Sequence, residues 1–175
     1  MSSAYPSGTH EVRAATVADL PAIKSIYDVH VRTTTATFDV QPPPIEYWEQ
    51  RLSSSAVGDH LLVATTTGDA GTVLGYAYSS TYRPRPAYDR TRETSVYLAA
   101  EALGRGLGRA LYEALIDLLR QDGVHTVLAV VARPNEPSEA LHRACGFDLV
   151  GVLPEVGRKF DRWVDTGLWA LRLEQ

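Results

Sequence analysis

Hydrophobic and polar positions alternate with two periods along this chain, and the switches between those periods lay out its elements. Glu11–Ala14 reads as a short first strand. Thr16 and Asp19 have the spacing of a helix start, with Pro21 in the first turn, where a missing N–H costs nothing. Leu20, Ile23, Ile26 and Tyr27 then recur at the spacing of one helix face. Thr33–Phe38 is poor helix material and reads as a loop. The prolines at 42–44 lead into a second helix over Ile45–Ala56, carrying Tyr47, Trp48 and Leu52. HLLVATTTGDAGTVLGYAYSS reads as two strands about a Gly68–Gly71 turn. ETSVYL (93–98) predicts a strand, and LGRALYEALIDLLRQ (107–121) is the strongest amphipathic helix, ended by Asp122 and Gly123. TVLAVVA (126–132) reads as a buried strand, followed by a turn over Arg133–Pro137 and a helix through Cys145 that Gly146 stops. Two more strands are expected near 148–155 and 166–173. The order β-α-α-β-β-β-α-β-α-β-β predicts a mixed α/β architecture, and the hairpin rules out a wholly parallel sheet.

Composition constrains the partners more than the fold. A length of 175 residues fits one domain, taken as 10–175 behind a floppy lead over 1–9 that lacks the charged and apolar regions of a signal peptide. With 45% hydrophobic and 22% charged residues, the chain reads as soluble and globular. A net charge of −4 argues against a general nucleic-acid binder, which needs a basic face. No apolar run approaches the roughly 20 residues of a membrane span. The single cysteine, Cys145, cannot form an internal disulfide, and a reducing cytoplasm is the simplest compartment. At a helix C-terminus, where the dipole disfavours thiolate, Cys145 reads as packing and not as a nucleophile.

The candidate chemistry concentrates in SVYLAAEALGRGLGRAL (95–111). Gly104, Gly106 and Gly108 separate a strand from a strong helix, with Arg105 and Arg109 beside them. The dinucleotide fingerprint fails where Arg109 stands in place of its last glycine, and no Gly-Lys-Ser/Thr is present for a nucleotide-hydrolase loop. A third mechanism fits. Glycines turn backbone N–H groups inward, the helix N-terminus adds unsatisfied donors, and the arginines add charge, which together suit a pyrophosphate. The plain alternative is a loose connection.

On these residues the chain resembles the GNAT acyltransferases, whose acetyl-CoA signature is a strand, R/Q-x-x-G-x-G/A, and a helix. LGRGLG (103–108) matches it except that Leu103 replaces Arg or Gln. RTTTATFD (32–39), GYAYSSTYRPRPAYDRT (75–91), ETSVYL, NEPSEALHRACGF (135–147) and VGRKFDRWVD (156–165) are similar to the phosphinothricin and methionine-sulfone N-acetyltransferase branch. The resemblance runs from about residue 11 to 173. It implies a GNAT fold, that is, a mixed and mostly antiparallel sheet flanked by helices. It also implies acetyl-CoA as co-substrate, no metal, a small amino-acid-like substrate and a homodimer.

Acetyl transfer to an amine needs a deprotonated amine, a polarised carbonyl and a proton for the departing thiolate. An α-amine with a reference pKa near 8 is largely protonated at neutral pH, so a carboxylate beside it, directly or through one water, serves as base. The resemblance assigns this to Glu93; the plain reading is an exposed carboxylate at a strand start. Val96, Tyr97 and Leu98 would align with the pantetheine arm as an extra strand and aim an N–H at the thioester oxygen. In many GNAT proteins a Tyr five residues before the Phe of Gly-Phe protonates the sulfur; here that position is His142, which is otherwise a structural histidine. Asn135 matches an Asn on the pantetheine amides, although beside Pro134 it is also a turn-former. Ser138, with Gly104–Arg109 including Leu107, completes the expected cofactor set. Four arginines in ten residues (Arg83, Arg85, Arg90, Arg92) read either as a solvated loop or as a receptor for an acidic substrate. By resemblance Arg83, Arg85, Pro86, Ala87 and Tyr88 line the amino-acid pocket, Phe38 and the threonines near 34–35 cover it, and Arg158 and Lys159 are further cations. Phe160 and Trp163 read as packing. Two alternatives stay open: the same chemistry on a protein N-terminus, lysine or polyamine, or a non-catalytic acyl-CoA sensor.

Overall fold

Seven strands form one sheet in the order β1-β2-β3-β4-β5-β7-β6. The strands are β1 (His10–Ala14), β2 (Leu61–Thr66), β3 (Val73–Thr81), β4 (Thr91–Leu98), β5 (Thr126–Arg133), β6 (Asp148–Lys159) and β7 (Arg162–Arg172). Among the described residues four α-helices accompany them: α1 (Leu20–Thr33), α2 (Ile45–Leu52), α3 (Leu107–Gln121) and α4 (Glu136–Ala144). The computed structural model describes residues 10–68 and 71–174; the expected lead over 1–9 lies outside them. Every strand pair is antiparallel except β4 with β5. The element order is the one read from the hydrophobic pattern.

Local chemistry explains the boundaries. The Asp19 carboxylate accepts from the Thr16 backbone at 2.7 Å and its hydroxyl at 2.9 Å, and from Arg13 in bidentate fashion at 2.7 and 2.8 Å. That box closes a short 3-10 turn (Val17–Asp19) before α1 begins. The second helix stops at Leu52, four residues short of expectation. Ser53, Ser54 and Ser55 follow, and serine side chains compete with helical hydrogen bonding: Ser53 bonds the Gln50 carbonyl and Ser54 bonds Asp59. The last hairpin is longer than expected, because its turn is only Phe160 and Asp161, both with positive φ (52° and 55°) as a two-residue hairpin demands. Phe160 is 50% exposed and Trp163 60%, so neither is a packing residue within this chain, contrary to expectation. An aromatic ring at a tight turn tip has no second layer to pack on.

Each face of the sheet has its own core. One is largely aliphatic, built by α3 through Leu107, Leu111, Leu115 and Leu119 against β2–β5, and joined by Phe147 and Trp169. The other is aromatic. Trp48 of α2 is fully buried and meets Tyr27, Tyr47 and Tyr76 edge-on at 5.1–5.4 Å, and Tyr97 of β4 joins Tyr27 at 5.0 Å. Strand β4 therefore sends Thr94, Val96 and Leu98 to the α3 side and Tyr97 to the α1/α2 side.

Candidate active site

The site begins where the sheet comes apart. Strands β4 and β5 pair only through Thr91↔Thr126, Arg92↔Val127 and Glu93↔Leu128, then diverge. A cleft of about 400 Å³ opens between 94–98 and 129–132. Ala99 N–H donates to Leu74 O, which sets the β3–β4 ladder so that odd β4 residues bond β3. The N–H and C=O groups of Val96 and Leu98 therefore face the gap, the arrangement that accepts an extended amide chain as a missing strand. Tyr97 differs from expectation in its backbone, which is committed to β3. His30 of α1 reaches over to the Leu98 carbonyl, Nε2 to O at 2.9 Å.

Beyond the open strand lies the glycine loop. Gly104 and Gly106 have φ of +72° and +78°, a conformation that side chains other than glycine adopt only with strain. Gly106 is the N-cap of α3, so the loop delivers that helix's unpaired first-turn N–H groups to the cleft mouth. Gly104, Gly106, Leu107, Gly108 and Arg109 line the cleft together with Val96, Tyr97, Leu98, Asn135, Ser138 and His142. The cofactor set read from sequence is thus gathered in one place, except for Arg105, which bonds His10 Nε2 at 2.6 Å and ties the loop to β1. Arg109 pairs with Glu113 at 2.7 Å on the exposed side of α3. Leu103 is 62% exposed and lines the cleft edge, where the family signature has Arg or Gln. Asn135 serves both of its readings: it N-caps α4, its Oδ1 accepting from Ser138 N–H at 3.3 Å, while still lining the cleft.

Glu93 sits on the last paired rung, where the strands part, half-buried beside Ser80 of β3. Burial pushes its carboxyl above the usual glutamate range, with no hydrogen bond or charge opposing the shift. His142 is 3% exposed. Its Nδ1 lies 2.7 Å from the Ser138 carbonyl, which can only accept, so Nδ1 carries a proton. Burial holds the imidazole pKa below its usual value, and in the neutral ring Nε2 is then an acceptor for the Tyr112 hydroxyl at 3.0 Å. Tyr112, fully buried on α3, lines the cleft, and burial raises its phenol above the usual range. The sequence reading missed it because a tyrosine inside LYEALIDLL looks like core; the available signal was a polar tip within an otherwise aliphatic stripe. Cys145 is inert as expected, its thiol pushed up to about 11 by burial.

The residues expected to receive the acceptor lie outside that lining. Of the loop after α1, Ala36 reaches the cleft, whereas Phe38 does not. The 82–90 loop turns through a short 3-10 segment (Pro86–Tyr88), with Pro86 and Ala87 exposed. The Arg83 guanidinium stands over the Tyr82 ring at 5.0 Å and the Tyr88 ring at 5.9 Å. Arg85 is exposed on the same loop. Of the four arginines expected as a receptor, only these two stand away from backbone carbonyl partners among the described residues. Arg90 donates to the Asp122 and Gly123 carbonyls, and Arg92 is buried, bonded to the Val57 carbonyl and paired with Asp59 at 3.5 Å. Both hold the strand start to neighbouring loops. Lys159 is buried as well and donates to the Thr37 carbonyl, so it is not an open cation. Arg158 pairs with Asp161 at the hairpin turn.

A family profile described as the acetyltransferase (GNAT) domain matches residues 12–168. The chain belongs to the GNAT acetyltransferase family. The phosphinothricin N-acetyltransferase of Streptomyces coelicolor is 42% identical to this GNAT domain over 157 residues, covering 89% of this chain and 92% of the relative. The L-methionine sulfoximine/L-methionine sulfone acetyltransferase of Pseudomonas paraeruginosa is 39% identical over 164 residues, 93% of this chain and 94% of the relative. Among solved structures, a GNAT superfamily phosphinothricin acetyltransferase from Sinorhizobium meliloti in complex with AcCoA superposes with a TM-score of 0.87 at 37% identity, over 94% of this chain and 89% of that one. Among the described residues of this GNAT domain, no helix is long and apolar enough to cross a membrane.

Proposed function

We propose that this GNAT domain moves the acetyl group of acetyl-CoA directly onto the α-amine of a small amino acid or toxic analogue, of the class of phosphinothricin, methionine sulfone and methionine sulfoximine. The observation that carries the reading is the parting of β4 from β5 at Glu93. It leaves open strand backbone on one side of the rung and a desolvated carboxylate on it. The names of the two relatives above support the choice of substrate class.

The chain's own groups divide the work. The glycine loop and α3 N-terminus hold the pyrophosphate by backbone N–H groups. The open N–H and C=O of Val96 and the N–H of Leu98 pair with the pantetheine amides and aim an N–H at the thioester oxygen, while His30 holds the Leu98 carbonyl. Glu93, through a water, takes the proton that the amine loses as the C–N bond forms. As the C–S bond breaks, the Tyr112 hydroxyl turns its one proton from His142 Nε2 to hydrogen-bond the thiolate, and solvent supplies the proton that completes the free thiol. The neutral tautomer of His142 has no proton on Nε2, so its part is to hold Tyr112, and the raised phenol pKa keeps that hydroxyl a donor throughout the range in which a thiol ionises. Arg83, Arg85 and Tyr88 receive the acceptor's acidic groups. Such a reaction would detoxify its substrate, in the cytoplasm.

We further propose a homodimer. Edge strand β6 exposes Leu149, Val150, Val152, Leu153 and Val156, and Trp163 continues that apolar surface on β7. A second copy is the occupant that the resemblance implies.

The test is thiol release from acetyl-CoA against phosphinothricin, methionine sulfone, methionine sulfoximine, ordinary amino acids, a peptide N-terminus and spermidine. Preference for the first three is expected. Turnover of spermidine or the peptide alone would overturn the amino-acid reading, and binding of acetyl-CoA without thiol release would mark a sensor.

A further inference from the structure

The GRKF segment, distinctive in sequence, is used by the fold in a way its charges do not suggest. Lys159 is 4% exposed, and its ammonium donates to the Thr37 carbonyl at 2.7 Å across 122 residues of chain. Burying an ammonium is costly unless its charge is used, and a hydrocarbon would fill the same space more cheaply. Two residues earlier on the same face of β6, Gly157 lies flat against the Phe38 ring, and a Cβ at that position would collide with it. The opposite side of the loop is held from α1. Tyr27 donates to Asp39 Oδ2 at 2.7 Å, and its oxygen shares a 2.7 Å hydrogen bond with the Thr37 hydroxyl. One residue before Thr37, Ala36 lines the cleft. Residues 36–39 are therefore gripped between α1 and β6, at the point where the loop touches the cleft.

We propose that Gly157 and Lys159 are positioning residues for acceptor choice: they latch the 36–39 loop. That grip holds Ala36 at the cleft edge and keeps the Phe38 ring, seated on Gly157 beside the cleft lining, at one fixed depth over the acceptor side. This rests on the reading of Phe38 as the cover of the acceptor pocket. The latch explains why the hairpin runs past the sheet on a tight Phe160–Asp161 turn: it must reach the loop after α1. It also assigns specificity to a strand remote in sequence from every acceptor-binding residue. Acceptors that differ in the size of the group beneath Phe38 are the ones it discriminates.

The test compares Lys159→Met and Gly157→Ala, each alone and with Phe38→Ala. Lys159→Met, which removes one charge-assisted hydrogen bond, is expected to raise the acceptor KM about tenfold, and Gly157→Ala, which pushes the Phe38 ring off the strand, to raise it too, while the acetyl-CoA KM stays within about twofold. The ranking of acceptors should change, and in the Phe38→Ala background neither substitution should add anything. Amide hydrogen exchange over 36–39 should quicken in both variants. Additive effects with Phe38→Ala, or a lowered Tm with acceptor KM untouched, would overturn the latch as a determinant of acceptor choice. Unchanged exchange at 36–39 in Lys159→Met would overturn the latch itself. If Phe38→Ala alone leaves the acceptor KM where it was, the reading of Phe38 fails first, and acceptor choice lies elsewhere.

Discussion

The two sides of the β4–β5 cleft are built from different materials. The proposed cofactor side is mostly backbone: the open groups of Val96, the N–H of Leu98, left-handed Gly104 and Gly106, and the first turn of α3. The proposed acceptor side, beyond the lining of that cleft, is made of side chains on loops: Phe38 on one, Arg83, Arg85 and Tyr88 on another. A backbone-built site depends on topology and tolerates side-chain change. A side-chain-built site is altered by single substitutions, and so it is where relatives of one fold acquire different substrates.

The largest effect should come at the junction of the two sides. Glu93→Gln keeps the shape and removes the base, so kcat should fall about 10²–10⁴-fold with acetyl-CoA binding nearly intact by calorimetry. Retained activity would remove Glu93 from the mechanism. The same group sets the acid limb of the rate. Because burial raises its pKa, kcat should climb with pH through a midpoint above the ordinary glutamate range, as the carboxylate form appears, and Glu93→Gln should abolish that limb.

On the acceptor side, Arg83→Ala should lower kcat/KM for the acidic acceptor about 10–100-fold, the range of one lost charged hydrogen bond, with acetyl-CoA affinity unmoved. On the cofactor side the backbone should matter more than the charges. Gly106→Ala forces a Cβ into the left-handed region, costing about 1–2 kcal/mol and raising the acetyl-CoA Kd severalfold. Arg109→Ala, which breaks only an exposed pair with Glu113, should change that Kd less than about threefold. The comparison breaks if Arg109→Ala exceeds Gly106→Ala in the same titration. The smallest effect is on stability. The bidentate Arg13 contact and the Thr16 hydrogen bonds hold the Asp19 carboxyl down at about 2, below its unfolded value near 3.8. Its contribution is therefore complete above about pH 4 and lost as pH falls toward 2, a loss that Asp19→Asn should remove from an acid-unfolding profile.

Much of this was readable in one dimension because the interactions concerned are local. The helical repeat of LGRALYEALIDLLRQ, the glycines ahead of it and the alternation of ETSVYL all report contacts within a few residues or with one sheet face, so the element order and the position of the glycine loop were legible. The part proposed for Glu93 came instead from the family resemblance. What failed were groups whose partners lie far along the chain. Arg90 and Arg92 carried the same charge and spacing as Arg83 and Arg85, yet the carbonyls of Asp122, Gly123 and Val57 claim them. Tyr112 looked like core until His142 was placed 3.0 Å from it, thirty residues away. Lys159 looked like a cation for the substrate until Thr37 took it.

The amino-acid pattern by itself determined the strands and helices, their order and the place of the glycine loop between a strand and a helix, since these rest on propensity and period along the chain; the family came from resemblance in particular motifs. Only the tertiary structure decided that β4 and β5 separate at Glu93, which arginines remain open, that Tyr112 and His142 share a proton site, and that β6 reaches the loop after α1. Those outcomes depend on which distant groups compete for the same hydrogen bond, and that competition is settled in three dimensions.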